Sequence, residues 1–242
     1  MADAIYADRR LTPVYDALEG DRGDLPAYLA IADELGAERV LDVGCGTGSL
    51  AIVLAESGRT VVGVDPAEAS LDVARAKDRS GRITWMHGDA TAVPALGADL
   101  AVMAGNVAQV FLTGDDWSRT LLGIHAALRP GGCLVFETRR PERRAWEDWA
   151  ADTGRTVDVP GVGTVEQHME AIEVKLPFVS FRFTYRFLAD GAILTSDSTL
   201  RFRDRDEVAE SLVACGFRVL DVREAPDRPG REFVFVAERV AA

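Results

Sequence analysis

The stretch VLDVGCGTGSLAIVLAESG, Val40 to Gly58, constrains this chain more than any other. An apolar run meets three glycines at alternate positions, Gly44, Gly46 and Gly48, and a helix-like pattern follows. A strand running through a glycine turn into a helix leaves N–H groups at the helix start and lets a ligand approach the main chain. That is the layout of a nucleotide-cofactor site in an open α/β sheet. Dinucleotide folds space their glycines G-x-G-x-x-G. Here the third glycine comes one residue early and position 49 is serine, which argues against a dinucleotide oxidoreductase.

The surrounding chain repeats the same alternation. Strands are expected at Arg39–Val43, Thr60–Val64, Ile83–His87, Asp99–Ala104 and Cys133–Thr138, with helices at Ser49–Ser57, Ala67–Lys77 and Asp116–Leu128. Apolar strands alternating with helices give βαβ units and a doubly wound parallel sheet. Ahead of it, Leu25 to Leu35 reads as a helix with Asp24 as N-cap and Gly36 as its stop. Residues 5–18 read as a helical arm carrying Tyr6, Arg9, Arg10 and Tyr15.

Beyond Thr138 the pattern changes. Arginines cluster with Trp146 and Trp149, and residues 156–203 read as three antiparallel strands. In FRFTYRF, Phe181, Phe183, Tyr185 and Phe187 share one face, and Arg182, Thr184 and Arg186 the other. Asp190-Gly191 marks the hairpin after it. A last helix is expected from Asp206, as its cap, to Ala214, and FRVLDVRE and REFVFVAER form an antiparallel pair.

Composition narrows the function. The formal net charge is −12, unfavourable for a protein that grips phosphate backbones, so nucleic acid is not an expected partner. No apolar run reaches the roughly 18 residues of a membrane span, and the chain start lacks an apolar signal core; a cytoplasmic protein without membrane contact is expected. Cys45, Cys133 and Cys215 are widely spaced and form no metal or disulfide pattern, so no metal is expected.

With these motifs in order, the chain resembles the class I S-adenosylmethionine-dependent methyltransferases. VLDVGCGTG matches that family's first motif, VVGVD its second, HGDA its third and LRPGGCLVFET the segment before its substrate region. The resemblance covers residues 38–138, and 206–242 matches the family's last helix and strand pair. It implies a doubly wound seven-stranded Rossmann-like sheet with the last strand pair antiparallel, interrupted by an antiparallel β lid. It implies three parts: an N-terminal arm over residues 1–36, a cofactor domain over 37–150 and 204–242, and the lid over 151–203.

The resemblance also assigns residues. S-adenosylmethionine would lie on Asp42, Gly44, Cys45, Gly46 and Gly48. Asp65, with Pro66 after it, would accept the ribose hydroxyls. Gly88, Asp89 and Ala90 would hold adenine, and Asn106 and Tyr15 would flank the methyl donor. The product would be S-adenosylhomocysteine.

The chain lacks the Asn/Asp-Pro-Pro-aromatic motif of amino-methylating nucleic-acid enzymes, the paired glutamates of protein-arginine enzymes and the acidic cluster of metal-dependent catechol enzymes. A small-molecule acceptor remains, with a protein methyltransferase or a non-catalytic binding module as alternatives. Substrates gather at the carboxyl ends of strands, so Arg139 and Arg140 are candidate substrate contacts, with Gln109 and Arg182. His168 in the inserted block, Tyr15 and Tyr6 are candidate bases; His125 and His87 are read as structural. The chain is expected to be a monomer, or a homodimer formed by lid edges.

Overall fold

The computed structural model describes residues 2–20, 22–151 and 154–240. In chain order the elements are α1 (Ala4–Ala7), α2 (Thr12–Glu19), α3 (Leu25–Glu34), β1 (Arg39–Val43), α4 (Ser49–Glu56), β2 (Thr60–Asp65), α5 (Glu68–Lys77), β3 (Ile83–His87), β4 (Ala98–Met103), α6 (Gly114–Ala127) and β5 (Leu128–Arg139). There follow α7 (Ala145–Ala150), β6 (Arg155–Val159), β7 (Gly163–Lys175), β8 (Phe178–Phe187), β9 (Ile193–Arg201), α8 (Arg205–Ala214), β10 (Phe217–Arg223) and β11 (Glu232–Arg239).

Seven strands form one sheet in the order β10-β11-β5-β4-β1-β2-β3. The pairs among β1 to β5 are parallel, and β11 runs antiparallel to both β5 and β10. These strands are apolar because both faces are covered. Val40, Val102, Val135 and Val234 pack under Tyr28 and Ile31 of α3 and Leu50 and Leu54 of α4. Leu41, Met103, Phe136 and Phe235 pack under Trp117 and Leu121 of α6 and Leu212 of α8. The chain builds outward from β1 in one direction through β2 and β3, and in the other through β4 and β5. A crevice therefore opens between the carboxyl ends of β1 and β4.

Helix α8 begins two residues earlier than the sequence suggests. Its cap is Asp204, whose side chain accepts from Glu207 N at 2.8 Å, and not Asp206, which lies inside the first turn. The inserted block has four strands rather than three, in the order β6-β7-β8-β9. The added strand, β6, is short and largely exposed, so it lacks an apolar signature.

The arm lies between the two sheets. Ile5, Leu11 and Val14 pack against Val165, Tyr185 and Phe187 of the inner lid face. On the other side, Ser70 Oγ donates to Tyr6 O at 2.8 Å. Asp16 accepts from Thr47 Oγ1 of the glycine turn at 2.5 Å and from Lys77 Nζ at 2.6 Å. The arm thus ties the lid to the turn.

Gly48 shows why the turn needs glycine. Its φ is +83°, and a Cβ there would lie 2.5 Å from the Trp85 ring. Gly48→Ala is expected to lower stability by about 3 kcal/mol, from left-handed backbone strain plus overpacking. Urea denaturation reads this. A loss below about 1 kcal/mol would mean that the ring yields and the turn is not fixed by it.

Candidate active site

The glycine turn closes around the end of β2. Gly44 N and Cys45 N both donate to Val64 O, at 2.8 and 3.2 Å. Gly46 N donates to Asp65 Oδ2 and Ala67 N to Asp65 Oδ1, each at 2.8 Å. The turn is thereby stapled to the carboxylate that ends β2. Gly46 has φ +52° and no atom within 4 Å of where a Cβ would lie, so the turn presents bare backbone to open space. Cys45 is buried and a Cβ on Gly63 would lie 3.0 Å from its sulfur; burial pushes its thiol well up. It fills space there rather than reacting.

Asp42 is buried on the α3 face of β1, and among the described residues its Oδ2 has no hydrogen-bond partner. Burial pushes its carboxyl up to about 7, helped by Asp65 and opposed by Arg22. Asp65 is raised too, mainly by burial, while its two backbone donors lower it. Pro66 O lies 3.1 Å from His87 Nε2. Gly88 N donates to Asp65 O at 3.0 Å, and Asp89 Oδ1 caps the short turn at Ala90–Ala92 by accepting from Thr91 N at 2.8 Å. These residues gather at the β1, β2 and β3 ends on one side of the crevice.

On its other side a cavity of 520 Å³ lies between the sheet edge, the arm and the lid. Tyr6 and Tyr15 line it from the arm, Gly105, Asn106 and Arg139 from the sheet edge, and Gln167, Phe181, Phe183, Tyr185, Ser196 and Ser198 from the lid. Trp149 of α7 closes one side, with Arg139 stacked 5.1 Å from its ring.

Asn106 is held in a left-handed conformation, φ +62°. Its backbone N donates to Glu137 Oε1 at 2.6 Å, and its Nδ2 donates to Glu232 Oε1 at 3.0 Å. Its Oδ1, buried, has no hydrogen-bond partner among the described residues. Arg139 donates to Gln109 Oε1 at 2.9 Å and lies 4.0 Å from Glu232.

Several residues expected at the site lie elsewhere, and for those on strands the reason is that side chains alternate. Arg139 faces the cavity, whereas Arg140 turns to the opposite side, donating to Glu232 O and Glu224 Oε1 over the Phe233 ring. Gln109 is fully buried behind Arg139 and does not line the cavity. Arg182 stands on the outer lid face in a two-pronged pair with Asp197, at 2.6 and 2.9 Å. His168 is exposed on that same outer face, opposite Thr184; its neighbour Gln167 faces inward and donates to Tyr185 Oη at 3.2 Å. His168 is therefore not placed to act as a base in the cavity. Tyr6 and Tyr15 do line it, edge to face with centroids 5.1 Å apart. Burial pushes both phenols up, so each keeps its proton at neutral pH and can donate a hydrogen bond but not serve as a base.

Residues that the sequence reading did not assign to the site complete it: Glu137, Glu232, Trp149, Gln167, Ser196 and Ser198. Glu137 had a signal, an acidic residue inside the apolar strand CLVFET. Ser196 and Ser198 had another, two hydroxyls at strand spacing.

Comparison with known proteins agrees with this geometry. A methyltransferase domain family matches residues 40–132. An uncharacterised methyltransferase of Synechocystis is 28% identical over 152 residues, covering 55% of this chain and 71% of its own length. The chain spans less than half of two further curated methyltransferases that it matches, 42% of one and 46% of the other. Among solved structures, an S-adenosylmethionine-dependent methyltransferase from Clostridium acetobutylicum superposes with a TM-score of 0.78 at 16% identity, over 96% of this chain and 98% of that one. The cofactor-bound amino pentose methyltransferase CalS10 from Micromonospora echinaspora superposes with a TM-score of 0.72 at 24% identity, over 94% and 97%. Both structural likenesses are of fold.

Proposed function

We propose that this chain, whose residues 40–132 match a methyltransferase domain family, transfers a methyl group from S-adenosylmethionine to a small-molecule acceptor held in the cavity beside the β4 end. The observation that carries this reading is the cavity itself. Its 520 Å³ is the size of a small-molecule pocket, and its roof is built from the chain's own arm and lid. Residues 1–36 act here as the arm, 37–150 with 204–242 as the cofactor domain, and 151–203 as the lid.

The residues of the crevice suit the cofactor. The bare turn at Gly44, Cys45, Gly46 and Gly48 admits a ligand against the main chain, and Asp65 with Pro66 stands where a ribose needs an acceptor. Gly88, Asp89 and Ala90 lie beyond it for adenine. Asp42 and Asn106 each keep a buried oxygen without a partner among the described residues, as donors on a ligand require. When bound, the cofactor supplies a methyl group already activated by its sulfonium.

The protein's part is alignment and a dry site. Arg139 offers its guanidinium to an acidic or hydroxylated acceptor, fixed by Gln109 and Trp149. Asn106 offers a carbonyl oxygen to an N–H or O–H. Tyr6 and Tyr15 donate, and the arm they belong to shields the reaction from water. Aromatic rings beside serine and glutamine side chains suit a ring bearing polar substituents, and CalS10, whose fold this chain shares, acts on an amino pentose. We infer a sugar-like or comparable polar ring as the acceptor class.

Methyl-labelled S-adenosylmethionine incubated with the protein and a metabolite extract tests this by mass spectrometry. Label is expected in a small compound. Label found only in protein would overturn the acceptor class, and no transfer despite cofactor binding would make the chain a binding module.

A further inference from the structure

A second cavity, of 200 Å³, lies on the α3 side of the sheet. It shares Asp24, Asp227 and Arg228 with the large one but has its own floor. That floor is Glu137 of β5 and Glu232 of β11, on neighbouring antiparallel strands. Both are almost fully buried, at 2% and 1% exposure, and each has its Oε2 without a partner among the described residues. Tyr28 Oη, on α3 and 5% exposed, is likewise without one. Three partnerless polar atoms at one small cavity are unusual, because a buried polar atom without a partner is costly.

The rest of the lining answers what could satisfy them. Ile31, Ala225 and Val234 make apolar walls. The rim charges are already paired: Arg223 with Glu34, Arg140 with Glu224, Arg228 with Asp227 and Arg22 with Asp24. The floor is not so balanced. Glu232 shares the Arg228 guanidinium, 3.1 Å away, with Asp227 and lies 4.0 Å from Arg139. Among the described residues Glu137 has no ion pair and receives only the Asn106 N–H, on its other oxygen. A ligand here has to bring N–H donors, a positive charge and a short apolar body. A hydrated divalent metal does not answer that description, since it seeks oxygen on every side.

We propose that this cavity is a second binding site, taking a compact organic cation of the primary alkylammonium type. Its N–H groups donate to Glu137, Glu232 and Tyr28, and its alkyl part lies against Ile31, Ala225 and Val234. This does not depend on the methyl-transfer reading. It has a consequence for the large cavity: the same two glutamates hold Asn106 by its backbone N–H and its side-chain amide. Occupancy of the small site is transmitted to the wall of the large one through Asn106, beside the Arg228 that lines both.

The test is calorimetric titration of the full chain with n-butylammonium in phosphate buffer, with n-butanol as the neutral control. Saturable one-to-one binding is expected for the amine and none for the alcohol. Glu137→Gln, which keeps the shape and an acceptor for Asn106, is expected to weaken binding by about tenfold or more. Ala27→Leu, which fills the cavity without touching the glutamates, is expected to abolish it. Equal behaviour of amine and alcohol, no saturation by about 50 mM amine, or a Glu137→Gln affinity within twofold of wild type would overturn the site. Cofactor titration of the same samples reads the glycine-turn crevice separately.

Discussion

Asp65→Ala lowers the affinity for S-adenosylmethionine by about a hundredfold or more, the scale of losing two hydrogen bonds to a charged acceptor. The expectation comes from what surrounds the carboxylate. Each oxygen already accepts one backbone N–H, from Gly46 and from Ala67, at 2.8 Å. A carboxylate oxygen has a second lone pair, so both can take a ribose hydroxyl as well. Removing the side chain deletes those two acceptors and unstaples the glycine turn from β2. Asp65→Asn retains the shape and loses the charge, and falls between the two. Calorimetric titration of the cofactor measures each variant, with a thermal melt to establish that it is folded. An Asp65→Ala affinity within twofold of wild type would place the cofactor elsewhere.

The sequence reads well where local pattern and final environment coincide. The strands β1 to β5 are apolar runs because they are covered on both faces, and their turns carry glycine where φ is positive. The lid face bearing Phe181, Phe183, Tyr185 and Phe187 is legible because period-two alternation is a local property of β8. What it leaves open is register. His168 faces outward because β7 pairs with β8 so that Gln167 meets Tyr185 and His168 meets Thr184. A shift of one residue would have brought His168 into the cavity. Arg139 and Arg140 pose the same problem at the end of β5, where a single residue decides which guanidinium reaches the cavity.

The least legible part is the floor of the smaller cavity and the asparagine it holds. Glu137 and Glu232 are distant in sequence and meet only because β11 inserts antiparallel beside β5. Asn106 joins them through a backbone conformation that its own sequence neighbours do not announce. Such a cluster follows from topology, and topology follows from the whole chain. The local signals were an acidic residue in an apolar strand and an asparagine, a residue that tolerates the left-handed region.

The same burial predicts how the cofactor-free protein responds to pH. Burial raises the carboxyl of Asp42 from 3.8 to about 7 and that of Glu137 from 4.5 to about 7, where Glu232 adds to the effect. Between pH 4 and 7 the folded chain therefore holds protons that the unfolded chain has released, so stability falls as pH rises. The contribution is complete below about pH 4 and lost as pH passes through about 7, on the order of 3 kcal/mol for each group. His125, whose cation burial disfavours, pulls the other way by less because its ring is only partly buried. Paired carboxylates such as Asp24 and Asp99, held below their usual range despite partial burial, lose stability only at more acid pH. Urea denaturation is thus expected to give a higher unfolding free energy at pH 5.5 than at pH 8. Glu137→Gln carries no charge at either pH, so it flattens the slope and is more stable than wild type at pH 8. Stability that is flat or rises over this interval would mean that these two carboxylates are ionised and satisfied in the folded chain.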